Sequence, residues 1–127
     1  MIQVKSENLP IFKGRFYMCF SDSPEEIQDY FKNEVFDEIN SAHGLASIFD
    51  FRGSVSFVLC IICPDKYKPS IGVIAHEAIH LAQFVCDHIG YEAKSDSDEI
   101  YSHLTQYFTD RYIDFLKRIG KFELFCK

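Results

Sequence analysis

The chain has 127 residues, which fits one domain and leaves no room for two cores of ordinary size. Apolar residues make up 47% and charged residues 25%, the balance of a soluble globular protein, and this excludes a disordered chain. With 19 acidic against 13 basic side chains the formal net charge is −6, a sign that repels phosphate backbones and anionic lipid, so neither nucleic acid nor a membrane is expected as a partner.

The amino terminus, Met1 to Glu7, has no basic flank leading into an apolar stretch, so no secretory signal is expected. Extended segments follow around Ile2 to Val4 and from Arg15 to Phe20, separated by Pro10 and Gly14. A helix is then predicted. Ser23 can cap it, Pro24 suits the first helical position, and Glu26 has the spacing of a capping box. Ile27, Tyr30, Phe31, Val35, Ile39 and Ala42 form its apolar stripe, and Gly44, after His43, is the expected stop. Two strands, Leu45 to Phe51 and Ser54 to Cys63, flank Arg52-Gly53 and read as a hairpin. The run Phe57 to Cys63 is the longest unbroken apolar stretch, far too short to cross a bilayer.

After a polar loop from Pro64 to Pro69, Ser70 can cap a second helix that ends at Ile89 before Gly90. Its predicted buried stripe is Ile71, Ile74, Ala78, Leu81, Val85 and Ile89. The acidic linker Ser95 to Asp98 opens a third helix reaching about Ile119, closed by Gly120, with Ile100, Leu104, Tyr107 or Phe108, Phe115 and Ile119 inward. The expectation is a single α+β domain over residues 1–127, a small, mainly antiparallel sheet packed with three main helices. Phe122 to Phe125 is expected as a strand or packing tail.

The second helix carries His76-Glu77-Ala78-Ile79-His80, an H-E-x-x-H pattern. Residues four apart lie one turn apart on one helix face, so both imidazoles can point at one ion. Glu77 is rotated about 100° and can reach a water without occupying a ligand position. A hydrolytic zinc site takes three protein ligands and leaves the fourth position open. The competing reading is a solvated polar face, continued by Gln83 and Asp87. Asp87 could hydrogen-bond a ligand histidine or simply face water.

On His76-Glu77-x-x-His80 and its strand-then-helix context, the chain resembles the zincin metallopeptidases. No Gly-x-x-His follows His80, so the metzincin extension is missing. Asp98-Glu99-Ile100-Tyr101-Ser102-His103 opens the next helix and is similar to the gluzincin arrangement, in which a glutamate from a following helix completes the site. The Asp-Glu-x-x-Ser-His string departs from the Asn-Glu-x-x-Ser-Asp of large gluzincins, while overall size and pattern are similar to small zincin-like proteins of bacteriophages and prophages.

The resemblance implies a zincin-like fold and a cytoplasmic Zn2+-dependent metallopeptidase acting on a peptide or protein substrate. Its metal ligands would be His76, His80 and Glu99, and its catalytic residues Glu77 as general base and His103 as donor to the oxyanion. An edge strand of the sheet would line the cleft and pair with an extended peptide. Glu99 lies in a first helical turn, where the dipole favours a carboxylate. Asp96 and Asp98 are alternative third ligands. His103 shares the face of Glu99 and has ligand, donor or surface roles open to it. Tyr101, the other donor candidate, points to the opposite side of the helix. The alternative function is a catalytically silent zincin-fold metal-binding module that binds a protein partner.

Five cysteines, an odd and scattered set, suit reduced thiols in a cytoplasmic setting. Cys60-Ile61-Ile62-Cys63 is formally C-x-x-C, but residues three apart on a strand face opposite sides, so the two thiols read as packing residues. His43 and His88 read as helix-end residues beside terminal carbonyls.

Overall fold

The structure, a computed structural model, describes residues 1–10, 12–32, 43–64, 68–91 and 99–126. Strands β1 (Gln3–Asn8) and β2 (Arg15–Ser21) precede helix α1 (Pro24–Tyr30). Strands β3 (Gly44–Phe51) and β4 (Ser54–Ile62) follow, then helices α2 (Ile71–Ile89) and α3 (Glu99–Arg118) and a 3₁₀ turn at Phe122–Phe125. The architecture is α+β. The sheet order is β1-β2-β4-β3, with β1/β2 and β3/β4 antiparallel and the central β2/β4 pair parallel. The sheet is therefore mixed: two of its three ladders are antiparallel, in line with the expectation, and the central one is parallel. Among the described residues, no helix is long and apolar enough to cross a membrane.

The central pair explains the two-sided core. Phe16, Met18 and Phe20 of β2 join Phe57, Leu59 and Ile61 of β4 on the face covered by α2 and α3. Tyr17 and Cys19 join Val58, Cys60 and Ile62 on the other face, with Ile27 and Phe31 of α1 and its C-cap. Strands buried on both sides read as near-continuous apolar runs, as β2 and β4 do. Cys60 and Cys63 pack into opposite cores, as their spacing predicts, and none of the five cysteines forms a disulfide. Cys19 lies beside Cys60 in register, and burial pushes its thiol well above the ordinary range, which makes it an inert core group.

Several local expectations need correcting. Ser23 makes no side-chain cap; its hydroxyl donates to Glu25 Oε2 at 2.8 Å, and Glu26 instead accepts from Ser21 Oγ at 2.8 Å. Helix α1 stops at Tyr30 because Lys32 has a positive φ of 61°. Val35, Ile39 and Ala42 of the expected stripe lie outside the described residues. Gly44, the expected helix stop, is the first residue of β3, and the stretch on which that expectation rests lies outside the described residues; the His43 carbonyl accepts the Ile62 amide at 2.9 Å.

The hairpin and both later helix ends follow their local signals. Arg52 and Gly53 have φ of 53° and 81°, the double positive φ of a two-residue type I′ turn. Gly90 closes α2 in the left-handed region, with Tyr91 N–H donating to Cys86 O at 2.8 Å and Gly90 N–H to Asp87 O at 3.3 Å, a Schellman pair. Lys121 to Leu116 and Gly120 to Lys117 repeat it after α3. The predicted stripes fray at their ends. Ile71, Ile89 and Ile100 are exposed, while Ala82, Cys86, Tyr112 and Leu116 are buried in their place. Phe122 to Phe125 forms a 3₁₀ turn and not a strand, with Phe125 buried.

Candidate metal centre

Helix α2 buries Ile74, Ala78, Leu81 and Val85 against the sheet, which turns positions 76 and 80 outward. The His76 and His80 rings meet edge to face, centroids 4.9 Å apart, with their Nε2 atoms 3.3 Å from each other. That relation follows from the one-turn spacing on α2, whose N-cap Ser70 makes no side-chain cap bond, against expectation.

Glu77 turns toward the sheet edge, half-buried beside β3. Burial pushes its carboxyl above the ordinary value, opposed by the nearby His76 and His80 and by a hydrogen bond from the Ala46 amide. Gly44 makes that approach possible, since a Cβ there would stand 2.8 Å from Val73 Cγ1 and 3.1 Å from Glu77 Oε2. The His43–Ile62 bond sets the alternation of the β3/β4 ladder, so Gly44, Ala46, Ile48 and Asp50 turn their backbone groups outward. Among the described residues, no strand pairs with this outer edge. Gly44 and Ala46 are site residues that sequence reasoning missed, because a glycine after a histidine carries the same local signal as a helix stop.

Helix α3 begins beside α2. The Tyr101 hydroxyl donates to Ile79 O at 3.2 Å, tying the first turn of α3 to the residue before His80. Glu99 and His103, one turn apart, pair with each other at 3.3 Å, both largely in solvent. His103 also borders an apolar cavity of about 440 Å³ with Leu9, Phe12, Ile89, Ile100 and Leu104. Thus His76, His80 and Glu77 come together on α2, and Glu99 with His103 on α3. Among the described residues no group of three His, Cys, Asp or Glu side chains is arranged to hold a metal ion. Asp96 and Asp98, the alternative third ligands, lie outside the described residues.

Other expectations resolve simply. His88 is exposed in the last turn of α2, the helix-end place expected of it, and its ring lies edge-on to Phe57 with centroids 6.0 Å apart. Asp87 is exposed, and its backbone carbonyl serves the Gly90 cap. Comparison with protein-family models, curated proteins and solved structures gives no match.

Proposed function

We propose that this chain is a cytoplasmic zinc-dependent metallopeptidase of the gluzincin type, built on a small zincin-like fold. The observation that carries the reading is the 3.3 Å separation of the His76 and His80 Nε2 atoms. Two nitrogens each about 2.05 Å from one tetrahedral zinc stand about 3.3 Å apart, so the donor pair fits the ion. When bound, zinc supplies Lewis acidity, polarising a carbonyl and lowering the pKa of water to about 7.

The chain's own residues do the rest. His76 and His80 would hold the ion through neutral imidazoles, with Glu99, now paired with His103, as the third ligand, its place in the first turn of α3 favouring the carboxylate. Glu77 takes the proton of the attacking water on a carboxylate oxygen and passes it to the leaving amine. His103 donates to the developing oxyanion. The outward carbonyl of Ala46 and the outward amide and carbonyl of Ile48 offer an extended peptide a strand edge to pair with, next to Glu77.

A second reading, a silent metal-binding module that engages a protein partner, is favoured by the Glu99–His103 pair, which occupies both α3 groups with each other. One experiment separates the two. Wild-type chain loaded with zinc to stoichiometry and incubated with a peptide library is expected to cleave, and Glu77→Gln is expected to keep its zinc while losing about 10²- to 10⁴-fold in rate. Zinc uptake without cleavage supports the module, and failure to take up zinc overturns both.

A further inference from the structure

An uncovered strand edge is a liability, since its outward amides and carbonyls are a template for any other extended chain. Helix α2 meets the edge of β3 at one place. The Ala46 amide, which faces away from β4, donates to the Glu77 carboxylate. The same side chain lies over the bare Cα of Gly44, where a Cβ would stand 3.1 Å from Glu77 Oε2 and 3.1 Å from its Cγ. A backbone hydrogen bond and a close approach thus put a charged acceptor where the carbonyl of an added strand would sit.

The Ala46 carbonyl and the Ile48 amide and carbonyl face the same way, and among the described residues no strand pairs with β3 on that side. A chain pairing along Ile48 needs the Ala46 amide to continue its ladder, so it competes with Glu77 for one donor. That amide carries a single proton, and the two states exclude each other. A carboxylate accepts more strongly than a neutral peptide carbonyl, which favours the closed edge in the free chain. Half-burial works the other way, because a carboxylate that leaves the edge regains water. The two tendencies oppose each other, so the closed state is preferred without being locked.

We propose that Glu77 is a displaceable cap on the β3 edge: it closes the edge at Ala46 in the free chain and is released when an extended peptide pairs along Ala46 and Ile48. The partner is a peptide segment in β conformation, recognised through its main chain. The inference rests on the peptide-pairing edge of the proposed function, but on neither zinc nor turnover, and it adds regulation to that site. By linkage, whatever favours release of Glu77 favours the peptide, and the peptide favours release by the same factor. The motif carboxylate is then set free beside His76 and His80 only when a peptide is in place.

The test uses the full chain without metal and an end-capped hexapeptide of alternating valine and threonine, followed by NMR. In the free wild type the Ala46 amide proton is expected downfield and slow to exchange, and in Glu77→Ala it should move upfield and exchange faster. The peptide should bind Glu77→Ala about five- to tenfold more tightly than wild type, the worth of one hydrogen bond no longer contested, with the largest shifts at Ala46 and Ile48. Glu77→Gln keeps the shape of the side chain with a neutral acceptor. It should fall between the two, and it serves alone should Glu77→Ala fail to fold. An Ala46 amide that neither substitution moves, equal peptide affinity in all the proteins, or binding by none of them overturns the cap. Zinc uptake and cleavage are read separately. A chain that takes no zinc yet shows the tighter binding loses the peptidase reading and keeps the cap; cleavage without the affinity difference does the reverse.

Discussion

A β-carbon on Gly44 would stand 3.1 Å from both Cγ and Oε2 of Glu77 and 2.8 Å from Val73 Cγ1, so the edge of the sheet touches α2 at the motif glutamate with only a hydrogen to spare. The contact binds two elements that the chain brings together from far apart, and it sets how deeply Glu77 sits beside β3. Gly44→Ala is expected to destabilise the fold by about 1–3 kcal/mol, the cost of one extra methyl in a filled contact. Gly72→Ala is the control. Its new Cβ would meet only Ser70 Oγ at 3.6 Å, inside a helix, so it should stabilise by about 0.5–1 kcal/mol. Urea midpoints of the two variants moving in opposite directions would bear this out; equal midpoints would show that β3 yields at Gly44.

If zinc binds at His76 and His80, the folded state alone holds it, and the metal must raise stability. Free zinc at a hundredfold excess over Kd is expected to add about 2.7 kcal/mol, visible as a rise in Tm. His76→Gln and His80→Gln should each remove that rise, and chelation should reverse it in the wild type. A zinc-dependent rise that survives both substitutions would place the ion elsewhere.

Glu7 of β1 anchors α3 to the sheet. Arg111 donates from Nε at 3.1 Å and from Nη2 at 2.8 Å to Glu7 Oε1, and the Tyr107 hydroxyl donates to Oε2 at 3.1 Å. The ion pair is only partly exposed, 31% and 22% for the two side chains, which lifts it above an ordinary surface pair. Glu7→Ala is expected to cost about 1–2 kcal/mol, and a double-mutant cycle with Arg111→Met should recover about 1 kcal/mol of coupling. A coupling near zero would show that the network orders side chains without stabilising the fold.

The same network gives stability a dependence on alkaline pH. Burial first, then the charge of Glu7 and the hydrogen bond to it, push the Tyr107 hydroxyl up to about 12, with Arg111 pulling the other way. In the unfolded chain this phenol loses its proton near pH 10. Between those values the folded state holds a proton that the unfolded state has lost, so stability falls as pH rises through the window and is complete below it. Tyr107→Phe should flatten the loss between about pH 10 and about pH 12 relative to wild type. Parallel slopes for the two proteins would assign the alkaline loss to other groups, Tyr112 first, whose buried hydroxyl is also pushed well above its ordinary value.

Much of the site was legible because its signals are local. H-E-x-x-H on a helix puts two imidazoles on one face by the geometry of the backbone, and their Nε2 atoms meet at 3.3 Å. Arg52-Gly53 made the hairpin, and Gly90 and Gly120 ended their helices, for the same reason. The illegible parts depend on what lies across the fold. Tyr101, which the helical period placed on the far side from Glu99, is the residue that reaches α2. Ile71, Ile89 and Ile100 carry the apolar period to helix ends that nothing in the described fold covers.

From its residue order alone, this protein was already bound to amphipathic helices, two runs of apolar strand and a paired-histidine turn, because those follow from dihedral preference and side-chain period within a few positions. Only the assembled fold decided that β2 lies parallel to β4, that β3 takes the open edge, and that Gly44 lets that edge close on Glu77. These are contacts between residues far apart in the chain. They are chosen by which packing buries the most apolar surface without a clash, a comparison of whole arrangements that no local stretch can make.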